Sequence, residues 1–362
     1  MAVAKNPSLE ILRTFPGRAL CVQADGTMYL GREHGVYSSI DDGVTWRRVL
    51  TFPRSAIRGL AEFSRLACRL LRHEIRALAR LSDGCYVGAT RQGVFYAPPS
   101  ETQMRPSRVR DRGLPVHPPM SLTVGPDGRV LWGEYWVNRE RRPVRLYASE
   151  DRGVSYDVVH TFAAGEVKHI HNLVYDERYK HYWVLAGDHG TEPGIGRLSA
   201  DLKTFDWLVK GKQEYRAVCL FDMGEYLVYG TDSEMASNAA MRLEKTTGKT
   251  ERLAEFDGSC IHGCKFGSYL ALSTSVEPSA VNRSQRAGLW LSRDGERWTC
   301  VYRAAKDRWN ATYFQFGSIV LPRGESGRET ALFSGQALVG IDGRAAVAAL
   351  SDTGLCPDGP RP

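Results

Sequence analysis

One eight-residue pattern recurs along the chain and limits what it can fold into more than any other feature. Ser39-Ile-Asp-Asp-Gly-Val-Thr-Trp46 and Ser149-Glu-Asp-Arg-Gly-Val-Ser-Tyr156 both read Ser-x-Asp-x-Gly-x-Ser/Thr-aromatic. Ser292-Arg-Asp-Gly-Glu-Arg-Trp298 is one residue shorter, and Ser199-Ala-Asp-Leu-Lys-Thr-Phe205 is a degenerate version. Each follows a short strand-like run (Gly35-Val-Tyr37, Arg145-Leu-Tyr147, Gly288-Leu-Trp-Leu291, Gly196-Arg-Leu198) and precedes another. The spacing is that of a hairpin turn: Ser and Asp side chains bond the loop's own backbone, Gly takes positive φ, and the aromatic packs under the turn. A turn unit repeated through the whole chain points to stacked or radially arranged copies of one small sheet.

Around these turns the sequence divides into units of four strands. Strand ends recur after the turns as Trp46-Arg-Arg-Val-Leu-Thr-Phe52, Tyr156-Asp-Val-Val-His-Thr-Phe162 and Thr250-Glu-Arg-Leu-Ala-Glu-Phe256. Ser8-Leu-Glu-Ile-Leu-Arg-Thr-Phe15 reads as such a fourth strand with nothing before it. Phe314–Val320, Thr330–Ser334 and Ala345–Leu350 read as three strands with no fourth. The two ends are therefore expected to complete one sheet between them, which leaves no free edge.

The repeated motif resembles the Asp-box (BNR) repeat of sialidase-like and other β-propellers. The resemblance implies an all-β chain, with first strands starting near 18, 76, 117, 169, 215, 260 and 313. These give a seven-bladed β-propeller of four-stranded antiparallel blades, or six blades if one unit is misread. Residues 1–352 then form one domain. Ala61–Arg72, with apolar residues at helical spacing, reads as a helical insertion that either packs or covers the mouth of the ring. Residues 98–115 and the tail 353–362 read as loop.

Composition narrows the class further. The 362 residues are 43% hydrophobic and 25% charged with a net charge of +7, which excludes a disordered or collagen-like chain. No apolar run approaches the ~20 residues of a membrane span. The first residues have no apolar leader region, so the sequence as it stands is expected in the cytoplasm, or outside it if a leader precedes. The cysteines sit mostly in apolar runs as buried thiols, and Cys260-Ile-His-Gly-Cys264 has no partner pair at zinc-finger spacing. The Arg-rich stretches alternate with acids and prolines and show no nucleic-acid-binding pattern, so the charge is read as favouring an anionic polymer. No nucleic-acid or membrane partner is expected, and the chain is expected to be a monomer or a weak oligomer.

In a propeller the starts of the first strands and the loops after the second strands open on one face. Placed in this register, that face gathers His34, His117, His169, His171 and His262, with His189 on a loop, from the nine histidines of the chain. It also gathers Tyr215, Arg216, Tyr313 and Gln315 from strand starts. The loops add Arg91, Glu134, Tyr135, Arg139, Asp188, Glu192, Asp232, Glu234 and Glu277. His169 and His171 share a side by strand alternation, and Asp188-His189 returns beside them.

Three functions fit such a face. The first is β-elimination from a uronate-containing poly- or oligosaccharide, which needs a base, a group that neutralises the carboxylate and an acid for the leaving oxygen. The architecture is similar to the seven-bladed propeller polysaccharide lyases that act on ulvan or oligogalacturonate. That resemblance implies His169 or His171 as base, Arg216 as neutraliser and Tyr215 or Tyr135 as acid, with Glu134, Arg139, Asp188, His189, Asp232, Glu277 and Tyr313 binding the anionic glycan. It also implies a divalent ion such as Mn²⁺ or Ca²⁺ held by His117, His171, His262 and Gln315. The second is glycoside hydrolysis of the sialidase type, although the N-terminal Arg motif of that family is absent. The third is a propeller that binds a glycan or a protein without catalysis.

Overall fold

The computed structural model describes residues 6–54, 59, 61, 64–110 and 115–352. Parts of the 61–72 and 98–115 segments, and the expected tail 353–362, lie outside the described residues. The chain is almost entirely β. Antiparallel groups of four strands follow one another through 18–51, 77–106, 123–162, 170–210, 221–256 and 259–305. A last group combines Gly317–Val320, Thr330–Gln336 and Arg344–Ser351 with the N-terminal strand Ser8–Pro16, which pairs antiparallel with Arg344–Ser351 from Ser8↔Ser351 to Pro16↔Arg344.

The repeated turns have the chemistry their spacing implies. Ser39 Oγ donates to Asp41 Oδ1 (2.7 Å) and accepts from Gly43 N (2.9 Å), while Asp41 accepts from Thr45 N (2.9 Å) and Oγ1 (2.6 Å). Ser149, Asp151, Gly153 and Ser155 repeat the arrangement, and Gly43 and Gly153 take φ of +77° and +87°. Trp46 tucks against Phe15 of the N-terminal strand, ring centroids 5.5 Å apart.

Apolar cores lie between neighbouring groups rather than within them. Leu131, Val144 and Leu146 of the 123–162 group pack with Ile170, Tyr182 and Val184 of the next. Trp183 and Leu185 pack with Leu227 and Tyr229 in the same way. Each sheet thus uses both faces, which explains why second strands such as Val130–Gly133 are fully buried instead of alternating.

Three expectations need correction. The first strands begin at Thr123, Phe221 and Gly317 rather than near 117, 215 and 313, because extended or 3₁₀ segments and the short helix Ala311–Phe314 precede them. Within 98–115, Arg105–Pro106 pairs with Phe95–Tyr96, and Arg108–Val109 runs parallel to Ser155–Tyr156. An unforeseen strand, Arg323–Ser326, runs parallel to both Cys21–Val22 and Lys265–Phe266. With the Ser275↔Ser318 pairing, it joins the 259–305, last and first groups into a continuous 13-stranded sheet.

The insertion contains the helix Arg65–Leu70, whose N-cap Ser64 accepts from Ala67 N. Its Arg69 is buried, donates to Phe314 O (2.7 Å) and pairs with Asp307 and Asp342. The helix is therefore pinned to the wall, and it feeds directly into Arg72, Glu74 and Arg76.

Candidate functional site

The site is built from the starts of the first strands and the loops beside them. In Ile170–Asp176 the pairing shifts between Ile170 and Asn172, so His171 sits at a bulge. The two imidazoles meet through that bulge and not through plain alternation, with Nε2 to Nε2 at 3.1 Å. The following hairpin returns Asp188 to them. Gly187 has φ +100°, and a Cβ there would lie 2.4 Å from the backbone of Glu192 and Pro193, so only glycine lets the chain make this turn.

Each imidazole is anchored through Nδ1, at 2.8 Å from Trp136 O for His169 and at 2.8 Å from Ala217 O for His171. A carbonyl oxygen only accepts, so both Nδ1 atoms carry hydrogen, and in the neutral rings both Nε2 atoms are lone pairs. Both Nε2 atoms also lie 3.3 Å from Asp188 Oδ1. Burial favours neutral His169 and lowers its pKa against the opposing pull of Asp188. Lys168 pairs with Asp188 Oδ2, and Arg216 Nη2 lies 3.1 Å from Oδ1 and 3.4 Å from Asp232 Oδ2. Further acids crowd this side. Burial, then Asp232, pushes Glu277 up to about 7, and burial raises Asp232 against the pull of Arg216.

Facing this acidic side is a cavity of about 200 Å³ whose lining includes Arg18, Arg72, Arg76 and Arg323 against the single carboxylate of Glu74. Glu74 is already engaged by Arg65 (2.9 Å), Arg18 (3.3 Å) and Gln315 (3.4 Å). Among the described residues the side chains of Arg76 and Arg323 have no hydrogen-bond or carboxylate partner. Burial, then the like charge of Arg91, lowers the Arg76 pKa. Tyr135 joins the two sides: it lines the cavity, and its ring centroid is 4.3 Å from that of His169. Burial raises its phenol, as do Asp188 and Asp232, while Arg76 acts in the opposite direction.

Of the residues expected from sequence, His169, His171, Asp188, Arg216, Asp232, Glu277 and Tyr135 come together. The others do not. Glu134 is fully buried and saturated by Arg145 (2.8 and 3.0 Å) and by the backbone N–H groups of His117 and Arg145, so it is a structural brace rather than a glycan ligand. The Tyr215 ring lies under the exposed Lys212, and Tyr313 is 62% exposed on its helix. Arg139 is exposed, and His189 reaches outward to Glu234 at 3.4 Å.

The expected metal set also disperses. His117 stacks on Trp136 (centroids 4.1 Å), whereas His262 and Gln315 line the arginine cavity, where burial and then Arg18 and Arg323 hold His262 well below its ordinary pKa. Among the described residues, the group whose donor atoms all lie within 4.8 Å is His169, His171 and Asp188. Asn138 was not foreseen. It ties the Tyr135 loop to the histidine strand through Lys168 O (2.8 Å) and Arg142 O (3.0 Å). The arginine cavity was also missed, although Arg18-Ala-Leu20 and Arg76-Ala-Leu78 repeat the Arg216-Ala-Val218 pattern and signalled it.

No protein-family model and no curated protein sequence matches this chain. Solved structures do. Virginiamycin B lyase from Staphylococcus aureus superposes with a TM-score of 0.58 at 11% identity, covering 95% of this chain and 99% of that one. A chain of the mitotic checkpoint complex gives 0.58 at 10% identity, covering 95% and 92%. The extracellular domain of a one-component system from B. thetaiotaomicron gives 0.56 at 13% identity, covering 97% of this chain and 44% of that one. The fold is that of a β-propeller. Among the described residues no helix is long and apolar enough to cross a membrane.

Proposed function

We propose that the chain is a seven-bladed Asp-box propeller, closed by its N-terminal strand, that acts on an anionic, uronate-containing carbohydrate by β-elimination. The observation that carries this reading is the cavity in which four guanidiniums face one already-committed carboxylate, next to Tyr135 and the buried acids. Such a cavity accepts a carboxylate-bearing sugar and rejects a cation.

In this reading Arg76 neutralises the sugar carboxylate, since Arg216 is held by Asp188 and Asp232. Glu277, poised near neutrality, takes the proton from C5. The C–H electron pair forms the C4–C5 double bond, the C4–O bond breaks, and Tyr135 gives its proton to the departing oxygen. The histidines are not free for the base role expected from sequence, because their lone pairs point at each other and at Asp188.

The test is incubation of the full chain with pectate, alginate and ulvan while following the ultraviolet absorbance of the new conjugated double bond. Absorbance that grows with enzyme and is lost in Glu277→Gln supports the reading. No absorbance on any uronate overturns it.

A sialidase-type hydrolase is the second reading, favoured by three arginines (Arg18, Arg76, Arg323) from separate parts of the chain meeting in one cavity. It needs an ionised tyrosine nucleophile, and burial keeps the Tyr135 phenol protonated. Release of saturated reducing ends would select it. Binding without any cleavage would select a glycan-binding propeller.

A further inference from the structure

We propose that His169, His171 and Asp188 form a binding site for one divalent transition-metal ion. The inference stands apart from the elimination reading, which routes no step through these three residues.

Three donor atoms converge with nothing between them. The Nε2 lone pairs of both imidazoles and Asp188 Oδ1 stand 3.1, 3.3 and 3.3 Å from one another. Around an ion with ligands at about 2.1 Å, such separations are about 3.4 Å in tetrahedral and about 3.0 Å in cis-octahedral geometry. The observed triangle fits between those limits before any side chain moves. Left alone, the same triangle buries two facing imidazole lone pairs against a carboxylate oxygen that also pairs with Arg216 Nη2 at 3.1 Å.

The supporting contacts are those a metal site uses. Each ligating nitrogen has its partner Nδ1–H fixed on a carbonyl, Trp136 O or Ala217 O, which sets the tautomer and the ring angle. Asp188 Oδ2 is held by Lys168, which orients the carboxylate. Asp232, Glu277 and Glu234 all act on Arg216, so the neighbourhood holds more carboxylates than Arg216 and Lys168 balance. A dication corrects that excess. Two imidazoles and one carboxylate suit Zn²⁺, Mn²⁺, Fe²⁺ or Co²⁺, and not the all-oxygen shell of Ca²⁺. The set therefore shares only His171 with the site expected from sequence, and of the two ions expected there it keeps Mn²⁺ and not Ca²⁺.

The competing occupant is a single proton shared between the imidazoles. To separate them, the full chain is stripped with chelator, and Co²⁺ and Zn²⁺ are titrated by calorimetry and, for Co²⁺, by its visible d–d bands. The expected result is one saturable Co²⁺ or Zn²⁺ per chain with visible bands, and Ca²⁺ failing to compete. Affinity should fall at least ~10–100-fold in His171→Ala and Asp188→Asn. His262→Ala should bind as the parent does, and circular dichroism checks that each variant folds. No saturable Co²⁺ or Zn²⁺ binding by the parent chain, or equal affinity in the His169→Ala/His171→Ala double variant, overturns the site. Metal binding without turnover of any uronate leaves the site standing and removes the elimination reading. Turnover by stripped protein that binds no metal does the reverse.

Discussion

The two sides of the candidate site hold charge in opposite ways. On one, Asp188, Asp232 and Glu277 crowd around Arg216, and the strain shows as Asp232 and Glu277 pushed toward protonation. On the other, Arg18, Arg72, Arg76 and Arg323 crowd around Glu74, and the strain shows as guanidiniums lowered by burial and by each other. The acidic side can relax by taking up protons near neutral pH. The basic side cannot, because arginine stays charged. Under the proposed function, an anionic ligand completes the basic side and the acidic side supplies the chemistry.

The comparison can be broken in several ways, in decreasing order of expected effect. Glu277→Gln removes the proton acceptor and should lower kcat by ~10²–10⁴-fold on any uronate that the parent cleaves. Replacing Arg216 with Met leaves Asp188 and Asp232 buried without their shared cation, and denaturant unfolding should show a loss of about 3–5 kcal/mol. Arg76→Ala and Arg323→Ala should act oppositely, because each removes a buried like charge: KM for a uronate rises roughly 10-fold or more, with no loss of Tm. A matching loss of stability in both would show that the basic side is a braced wall and not a binding cavity.

The smallest effect is a pH dependence. Glu277 titrates near 7 when folded, above its ordinary value, so the folded chain holds a proton that the unfolded chain has released. Its contribution to stability is present below the ordinary carboxyl pKa and is lost as pH rises through about 7. Glu277→Gln should therefore raise Tm by a few degrees at about pH 8 and by nothing at about pH 4. In the parent, kcat/KM should rise through about 7 as the carboxylate forms.

The acidic side was legible in the sequence, while the basic side left only the repeated Arg-Ala-Leu signal, for a physical reason. His169, His171 and Asp188 lie on one hairpin, so local pattern alone brings them close. Arg18, Arg76 and Arg323 lie far apart in the chain, and Arg323 sits on a strand that no repeat announced. Strand order was readable because Ser8–Pro16 and Arg344–Ser351 left complementary vacancies in the pattern. Strand starts were less so, since His117, Tyr215 and Tyr313 precede the ladders that their unit was expected to begin. Glu134 misled because a loop carboxylate at the mouth looks the same in sequence whether it faces a ligand or Arg145.

The pairing of the first strand with the last has a consequence for synthesis. Ser8 and Ser351 face each other although they stand 343 positions apart in the chain. At about 5–20 residues per second, the ribosome finishes the second on the order of tens of seconds after the first. For that interval Ser8–Pro16 lacks its native strand partner, and its exposed Ile11 and Leu12 are available to anything nearby. Of the two paired strands, the one made first is the one that a nascent-chain chaperone would be expected to hold longer.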